Sequence, residues 1–122
     1  MSTRYPGVHV NDNGRLTMGN ILHLTLKKKW FDLIAMGLKK HEYREMKPYW
    51  EKRLVGDDGV GKVFDVVNFR NGYRPDSPVM DVEFKGIGFT NDKFWTPKHG
   101  EKIEGAVIII TLGAVLKIEN WE

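Results

Sequence analysis

A chain of 122 residues lies near the commonest domain size, so a single hydrophobic core is expected. The absence of cysteine excludes a disulfide framework, thiolate catalysis and cysteine-ligated zinc, and fits a reducing cytosol. Apolar residues at 41% and a formal charge of only +3 exclude a disordered polyelectrolyte, while the longest apolar run, Ala106 to Ile110, is far short of the roughly 20 residues of a membrane helix.

In chain order, residues 1–20 hold Pro6, Gly7, Asn11, Asn13, Gly14 and Gly19 without sustained periodicity, and read as a flexible N-terminal arm with no signal-peptide hydrophobic region. The folded domain is expected over 21–122. Ile21 to Leu26 alternates apolar residues with His23 and Thr25, the pattern of a half-buried strand. Lys28 to Met36 carries an amphipathic stripe, and Gly37 is placed to cap that helix in a left-handed conformation. Lys39 to Glu45 reads as a polar strand with Lys40, Glu42 and Arg44 on one face and Lys39, His41 and Tyr43 on the other. Pro48 starts a second short helix through Leu54, followed by a turn at Gly56, Asp57, Asp58 and Gly59. Val63 to Arg70 and Val79 to Phe89 are strands around the Asn71-Gly72 turn. Asn91 to Gly100 is a loop, and Ala106 to Ile118 is a long last strand broken or bulged near Gly113. The sum is a mixed α/β (α+β) fold, a small, partly open β-barrel with two short helices, one of them crossing over after the first strand.

The charge is concentrated. Between Lys27 and Arg53 nine Lys or Arg stand against four Asp or Glu, a local net of +5 within a total of +3. Trp30, Phe31, Tyr43, Tyr49 and Trp50 lie in the same segment, and cations interleaved with aromatics suit a ligand with both a phosphate and a base. The plainer reading is a solvated face whose aromatics point inward. His9, His23, His41 and His99 show no metal-ligand spacing, and no phosphate-binding glycine loop or nucleophile elbow is present, so neither metal nor cofactor is expected.

Gly37-Leu38-Lys39-Lys40-His41-Glu42-Tyr43-Arg44 matches the pattern G-x-K-x-x-E-x-R. The chain thereby resembles the ASCH domain family, relatives of the PUA RNA-binding fold, in which this motif follows a strand and an amphipathic helix. Phe69-Arg70-Asn71-Gly72-Tyr73 and Ile110-Thr111-Leu112-Gly113 with Trp121 are similar to ASCH proteins found in phages and prophages. The resemblance spans Ile21 to Trp121. It implies a PUA-like barrel with a cleft, centred on Lys39, Glu42 and Arg44, that binds RNA or a modified nucleotide. One branch of the family resembles amidohydrolases of acylated cytidines; its threonine nucleophile is replaced here by Glu42, which argues against that mechanism. Other members are described as ribonucleases.

Phosphate contacts are accordingly expected from Lys27, Lys29, Lys39 and Arg44, with base contacts near Glu42, Asn68 and Tyr73, and Arg70 on the same strand face as Asn68. If the chain is an enzyme, Lys39 and Glu42 are the acid–base pair. Each residue has a plainer role as well: Glu42 with Arg44 is equally a structural ion pair, the Lys27–Lys29 run equally a solvated helix end, and Trp30 core. Strict strand alternation sets Lys39 opposite Glu42, so a shared cleft needs irregular backbone after Gly37. RNA or a nucleotide is the expected partner in the cytoplasm, with no membrane; a host protein bound through the basic surface is a third reading.

Overall fold

The computed structural model describes residues 20–91 and 105–121, together with the backbone of two short strands before them. Those strands, β1 (Val8–Val10) and β2 (Leu16–Met18), pair antiparallel within the segment read as an arm. The rest of that segment before Asn20 and the expected loop from residue 92 to Gly100 lie outside the described residues. Then follow β3 (Ile21–Thr25), α1 (Lys28–Ala35), β4 (His41–Glu45), α2 (Pro48–Leu54), β5 (Val66–Arg70), β6 (Val79–Thr90) and β7 (Val107–Glu119). The fold is α+β: one curled five-stranded sheet, order β3-β5-β6-β7-β4, with two helices. β3 and β5 are parallel and every other pair in this sheet is antiparallel. A parallel pair needs a long crossover, and α1, β4 and α2 supply it, as the helix after the first strand predicted. Closure is incomplete: β3 and β4 are the two edges, and among the described residues no ladder joins them.

Period-two burial sets the inner face. Leu22 and Leu24 of β3 and Val67 and Phe69 of β5 are buried, while His23 and Thr25 between them are exposed. Phe31 and Ile34 of α1 and Leu54 of α2 cover this face and meet Ile108 and Ile110 of β7 in one core cluster. Each such side chain removed from water contributes roughly 1.5–3 kcal/mol. No helix among the described residues is long and apolar enough to cross a membrane.

β6 and β7 are too long to pair flat. Their register shifts between Asp81 and Gly86, where Gly113 and Ala114 together oppose Glu83. Extra residues of this kind bend and twist a strand, which curls the sheet. The irregularity expected near Gly113 is thus present, and the missing side chain leaves room there for the Glu83 carboxylate, which accepts the Ala114 N–H at 3.3 Å.

Three strand starts differ from the sequence reading. The polar strand begins at His41, not Lys39, because the helix cap occupies the chain up to that point. β5 begins at Val66, not Val63, because Gly61 and Lys62 are tied to Val55 and Leu54 at the end of α2, and the ladder to β3 starts only where the Asp65 N–H meets the Asn20 carbonyl. β7 begins at Val107, one residue later than expected.

Candidate functional site

The site starts with the end of α1. Gly37, at φ +76°, turns the chain out of the helix; its N–H bonds the Ile34 carbonyl and the Leu38 N–H bonds that of Leu33, both at 2.9 Å. This is the paired-bond Schellman cap that glycine permits at low cost. The Lys39 N–H also reaches the Leu33 carbonyl, at 3.1 Å, so Lys39 belongs to the cap and not to the strand. Strand alternation therefore does not govern it.

Released from that alternation, the Lys39 side chain turns back along β4. Its Nζ donates to the carbonyl of His41 and lies 3.2 Å from Glu42 Oε1. Glu42 Oε2 faces Arg44 Nη2 at 2.9 Å. One carboxylate is thus held between two cations. The side chains of Lys39 and Glu42 are only 1% and 2% exposed, so both charges are closed off from solvent in this arrangement. Taking such charges out of water costs several kcal/mol each and is tolerable only when they are mutually paired. Rings complete the enclosure: the Lys39 ammonium lies 4.7 Å from the centroid of Tyr43 and 5.6 Å from that of Trp30.

Arg44 has a second task. Its Nη2 also donates to the Thr25 carbonyl of β3 at 3.3 Å, and Arg53 Nη2 of α2 donates to the His23 carbonyl at 2.9 Å. Leu26, one residue past β3, bonds to β5, so the odd residues His23 and Thr25 turn their carbonyls to the unladdered edge. Both guanidinium groups lie against the Trp50 ring, that of Arg44 at 4.8 Å and that of Arg53 at 5.4 Å from its centroid. Cationic side chains, not a strand, therefore occupy the free edge of β3, which also protects it from pairing with another chain.

No protein-family model, curated protein or solved structure matches the chain. Its functional reading therefore rests on the geometry of the site.

Of the residues expected at the site, the structure brings together Lys39, Glu42 and Arg44. Lys29 joins them at the rim, with its ammonium 4.6 Å from the Trp30 ring, while Lys27 is the exposed cap position of α1. Asn68, Arg70 and Tyr73, which the sequence reading grouped with Glu42, are not brought into that ion-pair cluster. Asn68 alternates with the buried Val67 and Phe69, so it faces outward; its Nδ2 donates to Asp81 at 2.8 Å and its Oδ1 lies 3.3 Å from His23 Nδ1. Glu42 instead sits opposite the buried Ile110, on the inner face. Arg70 shares the outer face with Asn68, and its Nη2 donates to the Arg74 carbonyl at 3.0 Å. Tyr73 is 86% exposed in the turn between β5 and β6.

Sequence reasoning missed Arg53, although the signal was there. Trp50 and Arg53 are three apart on one short helix and therefore neighbours on its surface. Around the buried core of the site, Lys27, Lys29, Lys40 and Lys52 are exposed and form no ion pair among the described residues. Lys47 is paired with Glu45 at 2.8 Å, and the hydrogen bond it donates to that carboxylate, then the carboxylate's charge, raises the lysine pKa. Among the described residues no group of three His, Asp or Glu is placed to hold a metal ion.

Proposed function

We propose that this protein is an RNA- or nucleotide-binding module of the ASCH, PUA-like type, which binds through the surface formed by α1, β4 and α2. One observation carries the reading: every cation–ring contact among the described residues falls between Lys29 and Arg53, so cations and aromatic rings share one surface. A ligand with phosphates and bases needs that combination, the cations for the backbone and the rings for the bases. In this reading the motif residues are mainly scaffold. Lys39, Glu42 and Arg44 hold Trp30, Tyr43 and the β3 edge in place, while Lys27, Lys29, Lys40 and Lys52 contact phosphate and the exposed ring of Tyr49 stacks on a base.

The test is a titration of labelled single-stranded RNA into the protein and into a Lys29→Glu, Lys40→Glu, Lys52→Glu variant at several salt concentrations. The expectation is salt-dependent binding whose slope in log K against log salt falls by roughly 0.7 for each phosphate that the variant no longer neutralises. Binding that is absent, insensitive to salt or unchanged in the variant sinks the reading and turns the search to a protein partner.

The placement of the Lys39 ammonium and Glu42 carboxylate 3.2 Å apart beneath two rings favours a second reading, a hydrolase of RNA or of a modified nucleoside using them as acid and base. It requires the rings to open over the pair. Glu42→Gln then abolishes turnover with ligand binding retained, and the absence of any turnover by the parent protein rejects it.

A further inference from the structure

We infer that the protein carries a second binding site, specific for a guanidinium group, in the cavity between the first turns of α1, the turn joining β5 to β6, and the C-terminal residues Asn120 and Trp121. The cavity measures about 300 Å³ and shares no residue with the Lys39, Glu42 and Arg44 site. That volume is at the small end of ligand pockets, suited to a head group of arginine size.

Its aromatic wall is fixed in place. The Trp121 indole N–H donates to Asp32 Oδ1 on α1 at 3.0 Å, 89 residues away in the chain, and the residue remains 37% exposed. A ring held by its edge and open to solvent offers a face for a planar cation.

The polar lining offers acceptors. Asn71 Nδ2 donates to the Leu26 carbonyl at 2.8 Å and Asn120 Nδ2 to the Ser77 carbonyl at 3.4 Å. Those bonds settle which way each amide points, and leave both Asn carbonyl oxygens without a donor among the described residues. Asp32 is already matched, since Lys28 Nζ sits 2.6 Å from its other oxygen. Asp76 is not: its side chain is 81% exposed and its ion-pair contact, Arg74 Nε, is as far as 3.9 Å. The Lys28 ammonium also lines the cavity, but its charge is taken up by Asp32, so what remains for a ligand is one weakly matched carboxylate, two amide oxygens and an indole.

With Lys28 and Asp32 cancelling each other, Asp76 leaves the lining with a net negative charge, which favours a cation over an anion. An ammonium is a compact, strongly hydrated charge that gains little from a flat ring, whereas a guanidinium is planar, weakly hydrated and carries five N–H donors. The guanidinium alone uses all four features at once, stacking on Trp121 while its N–H groups bond Asp76 and the amides.

The experiment titrates N-acetyl-arginine amide into the full chain and follows the Trp121 indole N–H resonance, assigned by its loss in Trp121→Phe. A saturable shift is expected. N-acetyl-lysine amide should bind about tenfold more weakly, and Asp76→Asn should weaken the arginine probe about fivefold, the equivalent of about 1 kcal/mol. Asp76 is exposed, so this variant keeps its fold, which a urea midpoint verifies. No saturable shift, equal responses to the two probes, or an unchanged response in Asp76→Asn overturns the proposal. A Gly-Gly-Arg-Gly-Gly peptide separates two sources of the same chemistry: tighter binding than the amide assigns the site to an arginine of a protein, equal or weaker binding to a free guanidino compound.

Discussion

Arg44, on one edge strand of the sheet, donates to the carbonyl of Thr25 on the opposite edge strand at 3.3 Å. The five strands thus curl until their edges meet, and side chains make the junction that a strand ladder makes in a closed barrel. Arg44→Met keeps the length of the side chain but removes both the Thr25 bond and one of the two cations on Glu42. A loss of about 2–3 kcal/mol in urea unfolding is expected, with faster hydrogen exchange in β3 than in β5. Uniform exchange in the two strands would show that the junction does not depend on Arg44.

Glu42→Gln leaves the Lys39 ammonium buried without its carboxylate, and a loss of about 3–5 kcal/mol follows. Adding Lys39→Met removes the stranded charge, so the double variant should recover at least about half of that loss. Additive losses in the cycle would mean that the two groups do not interact in solution.

Gly37→Ala forces a residue with a Cβ into the left-handed conformation at φ +76°. The cost is about 1 kcal/mol, read as a lowered urea midpoint with an unchanged slope, and Gly37→Asn should cost less because asparagine tolerates this region. The alanine variant equalling the parent would imply that the cap is remade without a positive φ.

The Asp32 carboxyl is held below the ordinary aspartate range, first by the hydrogen bond from Lys28 and then by that from the Trp121 indole. Because the folded group takes up its proton at lower pH than the unfolded one, its contribution is present above the unfolded pKa and is lost as pH falls through the folded value. The Trp121 indole resonance should therefore stay constant on acidification through the usual carboxylate range and move only below it. In Asp32→Asn that acid transition should disappear. A Trp121 transition centred at the ordinary aspartate value would contradict the Asp32–Trp121 bond.

Much of the fold is legible in short-range patterns. The alternation of Leu22, His23, Leu24 and Thr25 marks the inner and outer faces of β3, the stripe through Phe31 and Ile34 marks the buried side of α1, and Pro48 marks the start of α2. The motif residues Lys39, Glu42 and Arg44 stand together as expected, but in a buried ion-pair cluster and not in an open cleft. Asn68 does not join them. Its neighbours Val67 and Phe69 mark its face as the outer one, whereas the inward face of Glu42 on β4 is set by pairing with β7, which no pattern near Asn68 carries.

Alone, the sequence determined what depends on neighbours within a turn or two: element types, caps, the inner face of each apolar strand and the concentration of cations and aromatics between Lys27 and Arg53. The tertiary structure decided what those cations do. Lys39 reaches Glu42 because the cap frees it from strand alternation, and Arg44 and Arg53 reach β3 because the sheet is curled, with the register shifts of β6 against β7 bending it. Curl accumulates over many paired residues far apart in the chain, so no local pattern carries it.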